Sequence, residues 1–511
     1  MRHPVTALWV AALSWSTSHG DTYRRRLLPY RRDLALLFIV ACCFRLIWAF
    51  LIPPWQVPDE AAHFTYVAHI VEQGELPYAR QTAELPLYSQ EVVESLKNGL
   101  YFATSSGGSP IPPPLTVMPA GYDYAIARDY NAPDVERRSA GGATATPYSA
   151  GSYLLAVPAY WLFRELPILS RLYAVRCVIA AIGALSCLFA YAIGTTLGGD
   201  REWGRTIGLM LAWFPQYTFM SAGVNNDAAS ILCATALIWL TIVLLQRQRL
   251  SVTLTFAMGL CAAVGVIVKP TTLPIAFVSG VVFLWQLIRG KRQAGMTLRS
   301  WALPCLTYTL GAALIFGPEL LLRRYLGARA TAIAMTTEVD SSVLVHGVTH
   351  TLAEYLHAKV AGGGFYLQWF FLKTGWGLFG SLDVPLSEET YAVIGLVSVV
   401  GITAALVAML TNVALRRMLS LSFILLAAQL VFVFIGMDYY LSYATTGAPL
   451  GIQGRYLFPA LVPFLYLLLS GWDYLGHNHR YTLHLASIGA FALQISSLIA
   501  FIGHYYGIGG G

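Results

Sequence analysis

About eleven stretches of this chain are long and apolar enough to cross the roughly 30 Å hydrocarbon layer of a bilayer. They lie near residues 34–52, 171–197, 204–222, 226–246, 252–268, 271–289, 301–321, 391–412, 418–437, 456–471 and 482–503. In lipid every backbone amide and carbonyl must find its partner within the protein, so runs of this length fold as helices. The composition agrees, with 56% hydrophobic and 12% charged residues, which is too apolar for an ordinary soluble domain. The expected fold is an all-α integral membrane protein with about eleven transmembrane helices.

The net charge of +7 does not point to nucleic acid, because the basic residues cluster in short loops between apolar runs, as cytoplasmic loops do. Arg24, Arg25, Arg26, Arg31 and Arg32 precede the first span, so the amino terminus is expected in the cytoplasm and the next segment outside. That segment, 53–146, holds eleven acidic and five basic residues. The apolar stretch Tyr148 to Phe163 would invert every later loop if it crossed. Read as a surface helix, it leaves Arg201, Arg205, Arg247, Arg249, Arg289, Lys291, Arg292, Arg416, Arg417 and Arg480 all inside. The resulting division is a cytoplasmic leader (1–33), a membrane module (34–321) with a large extracytoplasmic loop (53–170), a second extracytoplasmic segment (322–390) and carboxy-terminal membrane helices (391–511). The apolar stretch from Val5 to Trp15 lacks a convincing cleavage site and is read as part of the leader. All seven cysteines fall within apolar runs, where no exported disulfide is expected.

The ionisable residues of this topology converge on the outer face. Pro53-Pro54-Trp55-Gln56-Val57-Pro58 leads into Asp59, Glu60 and His63. On a helix beginning after Pro58 these three share neighbouring faces; a carboxylate there could act as general base, and the trio could hold a divalent cation such as magnesium or manganese. The same residues also fit a helix start at which the acids only favour the dipole. Asn225-Asn226-Asp227 opens a span, either as a cap or facing a cavity. Lys269-Pro270 sets a cation beside a helix break, suited to a phosphate or snorkelling to the interface. Gln453-Gly454-Arg455-Tyr456 places an arginine fork next to a glycine that permits close backbone approach; a snorkelling interfacial pair is the alternative. Lys373-Thr374-Gly375-Trp376-Gly377-Leu378-Phe379-Gly380 could line a sugar or lipid cavity or form a tight re-entrant turn. His346, His350 and His357 with Glu354 are a weak metal pattern that a solvated amphipathic helix explains better.

Together, Pro58-Asp59-Glu60 with His63, Asn226-Asp227, Lys269-Pro270, Gly375-Trp376-Gly377-Leu378-Phe379-Gly380 with Asp383, and Gln453-Gly454-Arg455-Tyr456 with Pro459 and Pro463 resemble the bacterial membrane family called domain of unknown function 2142. The resemblance runs from about 35 to 470. That family is in turn similar to the GT-C superfamily of membrane glycosyltransferases, whose members take polyprenyl-phosphate sugars as donors on the outer face. The resemblance implies a GT-C-like fold in a bacterial inner membrane and an extracytoplasmic active site. Asp59 would be the general base, with Glu60 assisting it or binding metal, and Lys269 and Arg455 would bind donor phosphate. Asp-Glu in place of a lone Asp leaves open which carboxylate acts. It further implies transfer of a sugar to an envelope glycan, lipid or protein acceptor, with His63, Asp227, Lys373, Gln453 and Tyr456 lining the substrate site. The rival expectation is a transporter or flippase of lipid-linked glycans, which would want ionisable groups at the bilayer midplane.

Overall fold

The computed structural model of the chain describes residues 20–77, 88–97, 134–139, 148–247, 250–294, 298–325, 349–447, 451–476 and 478–507, with positions 86, 103, 104, 110, 111, 141, 145 and 146. The leader stretch at 5–15, the proline-rich piece at 109–114 apart from Pro110 and Ile111, His346 and the tail at 509–511 lie outside the described residues.

The described chain is almost wholly helical. Helix α1 (Gly20–Leu51) is followed on one side of the molecule by α2 (Glu60–Gln73), α3 (Gln90–Lys97), α4 (Gly151–Leu154) and α5 (Val157–Leu162). Next come α6 (Ile168–Gly198), α7 (Arg201–Ala212), α8 (Pro215–Met220), α9 (Asp227–Gln246), α10 (Val252–Val268), α11 (Leu273–Ala294) and α12 (Leu298–Tyr325). The remaining long elements are α13 (Leu352–Ala361), α14 (Glu388–Thr411), α15 (Val413–Val431), α16 (Leu461–Leu475) and α17 (His479–Tyr506). The extended structure consists of two-residue antiparallel ladders, one of which pairs Leu378 with Pro385 and Phe379 with Val384. Two π-helical stretches, Leu367–Lys373 and Phe432–Tyr443, flank the approach to residues 451–456.

Among the described residues nine helical segments are long and apolar enough to cross a membrane, so the chain is a multi-pass membrane protein. Two of the eleven expected runs fall outside that count because neither forms a single helix of that length. Helix α10 has 17 residues and is a shorter apolar helix. The run at 204–222 is not one helix, because it breaks between α7 and α8, where Pro215 has no amide to donate and holds Phe214 in an extended conformation. Tyr148 to Phe163 forms the short helices α4 and α5, neither of which can span 30 Å at about 1.5 Å per residue. Leu155, Trp161 and Leu162 point outward from this stretch.

Small residues let spans approach where lipid supplies no hydrophobic drive between them. At the α14–α16 crossing, any Cβ on Gly471 would collide with the Gly401 carbonyl oxygen. Helices α6, α9 and α16 are the most buried of these spans, and the end of α1, the start of α9, the end of α10 and the turn before α16 meet at one end of the bundle.

Candidate functional site

The turn from 52 to 59 is built around Glu60. Its Oε2 accepts from the Trp55 amide (3.0 Å) and Arg176 Nη2 (2.6 Å), and its Oε1 from Arg176 Nε (2.8 Å) and the Val224 amide (3.0 Å). Arg176, an arginine inside the apolar α6, also donates to the carbonyls of Ala49 (2.8 Å), Ile52 (2.7 Å) and Pro53 (3.1 Å), which satisfies the otherwise open end of α1. Both side chains of the pair are fully buried. Glu60 is therefore the fastener of the turn, with its oxygens occupied by the protein itself.

Asp59 is held differently. Its backbone is left-handed (φ 66°, ψ 7°), a conformation that aspartate tolerates better than most residues. It occupies the N-cap position of α2, yet its side chain makes no capping bond there. Instead Asp59 Oδ2 accepts from Arg455 Nη2 at 3.2 Å. The Asp59 side chain is 45% exposed, while that of Arg455 beneath it is only 6% exposed.

Below this pair lies a second one. Lys269 Nζ donates to Asp227 Oδ1 at 2.5 Å, and Arg455 Nη1 lies 3.9 Å from Asp227 Oδ2. Asp227 starts α9 because Asn225 Oδ1 accepts its amide (2.9 Å), and Asn226 Nδ2 reaches the Val268 carbonyl (3.0 Å) beside Lys269. Gln429 Nε2 donates to the carbonyls of both Thr271 (2.9 Å) and Tyr456 (2.8 Å), tying the Lys269 turn to the Arg455 turn. The Arg455 turn is fixed from its other side by the Gly454 amide, which donates to Thr374 Oγ1 (2.7 Å), and by close apposition of Gly454 to Gly375 that leaves no room for a Cβ. Tyr456 presents its ring 5.7 Å from both Lys269 Nζ and Arg455 Cζ. Arg455 Nε is buried without a hydrogen-bond partner.

His63 borders the cluster. Its Nδ1 lies 2.6 Å from the Tyr153 hydroxyl, and its ring sits 6.0 Å from that of Tyr148. Burial pushes its imidazole down to about 4, against the pull of Asp59, so the ring is neutral at ordinary pH. Burial pushes the Asp59 carboxyl up, but Arg455, His63 and Lys269 together outweigh it and hold the group below the usual carboxylate range. Tyr148 is raised chiefly by burial and stays a neutral hydroxyl.

The expected site residues thus separate. Asp59, Asp227, Lys269, Arg455 and Tyr456 come together, with His63 at the edge. Lys373 turns away toward Glu388 (2.8 Å) and the Tyr391 ring. Gln453 caps the turn that carries Arg455, its carbonyl accepting the Tyr456 amide at 3.0 Å. The expected cation trio does not assemble: Glu60 faces Arg176 and His63 faces Tyr153, and no group of three metal-ligating side chains exists among the described residues. His350 pairs with Glu354 on an exposed helix face.

Arg176, Gln429, Tyr148 and Tyr153 were missed from the sequence. An arginine inside an apolar run is a signal that could have flagged Arg176; nothing local marks the other three. An apolar cavity of about 780 Å³ lies elsewhere, lined by Trp213, Trp376, Leu468 and Trp472 with Glu389 as its one carboxylate.

Among curated proteins, none matches the chain. Solved structures to which the chain is similar include ArnT from Cupriavidus metallidurans bound to undecaprenyl phosphate, at 14% identity and TM-score 0.47, over 92% of this chain and 76% of that one. An oligosaccharyltransferase from Archaeoglobus fulgidus complexed with zinc and sulfate is similar at 12% identity and TM-score 0.44, over 92% and 52%. The Archaeoglobus oligosaccharyltransferase AglB with an inhibitory peptide and a dolichol-phosphate gives 11% and 0.42, over 92% and 55%. The chain spans about half the length of these archaeal proteins. Likenesses this distant leave the chemistry to the residues of the site. The family profile described as "Predicted membrane protein (DUF2142)" matches residues 42–464, and the chain belongs to that family.

Proposed function

We propose that this protein is a membrane glycosyltransferase that moves a sugar from a polyprenyl-phosphate donor to an extracytoplasmic glycan, lipid or protein acceptor. The observation that most supports it is one accessible carboxylate, Asp59, stacked on two buried cations, Arg455 and Lys269. In the proposed reaction an acceptor hydroxyl oxygen attacks the anomeric carbon. The bond from that carbon to the phosphate oxygen breaks, its electron pair stays on the phosphate, and the hydroxyl proton passes to Asp59. Arg455 and Lys269 stabilise the charge that grows on the departing phosphate.

The geometry gives Asp59 a reason to become basic only when donor is present. Arg455 lowers the affinity of Asp59 for protons. A phosphate that takes the Arg455 fork draws that cation away from Asp59, and the carboxylate then binds a proton more readily. Asp227 keeps Lys269 and Arg455 in place between turnovers, and Glu60 sets the turn rather than serving as base. Tyr456 and His63 wall the site. The same reading places the amino terminus in the cytoplasm, the site outside, and the protein in a bacterial inner membrane, as the arginine-rich loops favour.

The test is sugar transfer from a panel of polyprenyl-phosphate sugars by purified protein, comparing wild type with Asp59→Asn and Arg455→Ala. Loss of transfer in folded Asp59→Asn, with weakened donor binding in Arg455→Ala, is expected. Movement of lipid-linked glycan without transfer, unaffected by Asp59→Asn, would instead identify a transporter.

A further inference from the structure

The membrane face opposite Asp59 carries a second charged arrangement that plays no part in the proposed transfer. The span Tyr30–Leu51 separates the two faces by about 33 Å at the helical rise. At its first turn Asp33 is buried and accepts four bonds. Arg201 donates from Nε (2.9 Å) and Nη2 (3.0 Å), Arg205 from Nη2 (2.8 Å), and Tyr191 from its hydroxyl (3.0 Å). Arg201 and Arg205 stand one turn apart on α7, so a single carboxylate fixes both guanidinium groups side by side. One carboxylate cannot neutralise two guanidinium groups. Arg31 and Arg32, both exposed, add to the excess, while Glu202, which pairs with Arg205 at 2.6 Å, and Asp200, the N-cap of α7, offset only part of it.

Arg32, Arg201 and Arg205 rim a cavity of about 720 Å³ whose wall continues into the bilayer as Leu36, Leu37, Val40 and Leu209. Leu36 remains half exposed on that wall. A cationic rim over an apolar wall, at the depth where headgroups give way to acyl chains, has the polarity profile of a phospholipid. We propose that this cavity binds an anionic phospholipid, its phosphate against Arg32, Arg201 and Arg205 and an acyl chain along Leu36, Val40 and Leu209. A soluble anion would use the rim and leave the wall uncovered. A zwitterionic lipid would bring its own ammonium against the arginines, so charge complementarity selects the anionic headgroup. Asp33 is the positioning residue of the site, because it pre-organises the guanidinium groups before a lipid arrives.

The test is native mass spectrometry of the full chain in detergent, titrated with phosphatidylglycerol or with phosphatidylethanolamine of the same acyl chains. Tighter retention of phosphatidylglycerol is expected. Arg32→Ala and Arg205→Ala should each weaken that retention about fivefold while leaving phosphatidylethanolamine unchanged. Arg205 also holds Asp33, so the exposed Arg32 provides the variant that does not disturb the helix contact. Equal retention of the two lipids by the wild type would overturn the proposal. So would an unchanged preference in Arg32→Ala, or complete displacement of phosphatidylglycerol by millimolar inorganic phosphate, which would mean that the apolar wall contributes nothing.

Discussion

Two networks of buried charge lie on the same side of this molecule, and they are built to opposite ends. In one, Glu72 accepts from the Tyr160 hydroxyl and Arg164 Nε at 3.0 Å each, and Arg171 reaches Tyr160 (2.6 Å), the Leu166 carbonyl (3.0 Å) and Glu91. Arg137 closes that network on the Arg164 carbonyl at 3.0 Å. This network clamps α2 and α3 to α5 and the start of α6. The other network, Asp59 with Arg455, Asp227 and Lys269, has an accessible carboxylate on left-handed backbone and a buried guanidinium nitrogen with no partner. Burial of charge is common to both and marks neither as a site. An accessible carboxylate, an unused donor and backbone strain belong to the second alone, and strain that persists in a folded chain is commonly tied to function.

The sharpest way to break this contrast is to neutralise one carboxylate from each network. Asp59→Asn should lower turnover by about 10²–10⁴, the usual range for a general base, with little change in melting temperature because the group faces solvent. Glu91→Gln should leave turnover per folded molecule intact and destabilise by about 3 kcal/mol, since the buried Arg171 would lose its nearer counter-charge and keep only Glu72 at 3.9 Å. Sugar-transfer rates and thermal melts of both proteins decide the matter. A melt for Asp59→Asn as damaged as that of Glu91→Gln, with transfer preserved, would put both networks in the structural class.

The same logic separates neighbours in sequence. Glu60→Gln should destabilise by about 3–5 kcal/mol, because it strips the counter-charge from Arg176. Its residual folded fraction should still transfer sugar. A stable Glu60→Gln protein without turnover would return the catalytic role to Glu60 and sink the assignment of Asp59.

The sequence made the all-helical membrane fold legible because hydropathy is local, and it made Asp59, Asp227, Lys269 and Arg455 legible because ionisable residues at span ends are conspicuous. It could not separate Asp59 from Glu60, since the distinction depends on Arg176, which arrives from a helix more than a hundred residues away. The break at Phe214–Pro215 was hidden for a different reason: the flanking residues are as apolar as a span, and hydropathy does not register a lost amide. Lys373 looked like a site cation on the strength of its glycine neighbours. Those glycines do reach the site, at Gly375 against Gly454, while the lysine side chain leaves in the other direction.

His63 borders the second network, touching Tyr153 on one side and feeling Asp59 on the other, and it offers a pH readout there. Its imidazole sits at about 4 in the folded protein against 6.5 ordinarily. The unfolded chain therefore binds more protons between those values, and the stability that the neutral ring contributes is full above about 6.5 and is lost as pH falls through about 4. The slope is at most about 1.4 kcal/mol per pH unit. Melting temperatures of wild type should fall with acid across that window, and His63→Gln should remove this component. Identical slopes in the two proteins would mean that the ring is not held neutral.

A smaller effect is expected from Arg455→Lys, which keeps a charge and loses the planar fork. Donor affinity should weaken about tenfold, since lysine offers a point charge where arginine offers paired donors. In Arg455→Ala the principal group that lowers Asp59 is gone, so the acid limb of the pH–rate profile should move upward. A limb that stays in place would separate Asp59 from the titration that governs turnover.

The smallest effect should come from the ion pair that resembles a site most in sequence and least in space. Lys373 lies 2.8 Å from Glu388, with the two side chains 23% and 64% exposed. Exposed pairs gain little Coulomb energy in high dielectric and require two long side chains to be held in place, so Lys373→Ala should change stability by less than about 1 kcal/mol. Donor affinity and transfer rate should match wild type, because the ammonium is turned toward the start of α14 and the Tyr391 ring. That result would complete the ordering, in which an accessible acid over buried cations governs turnover, a sealed network governs stability and a solvated pair governs neither. A tenfold loss of donor affinity in Lys373→Ala would instead show that the second outer segment closes over the donor during turnover, bringing Lys373 from its place beside Glu388 into the reach of the phosphate.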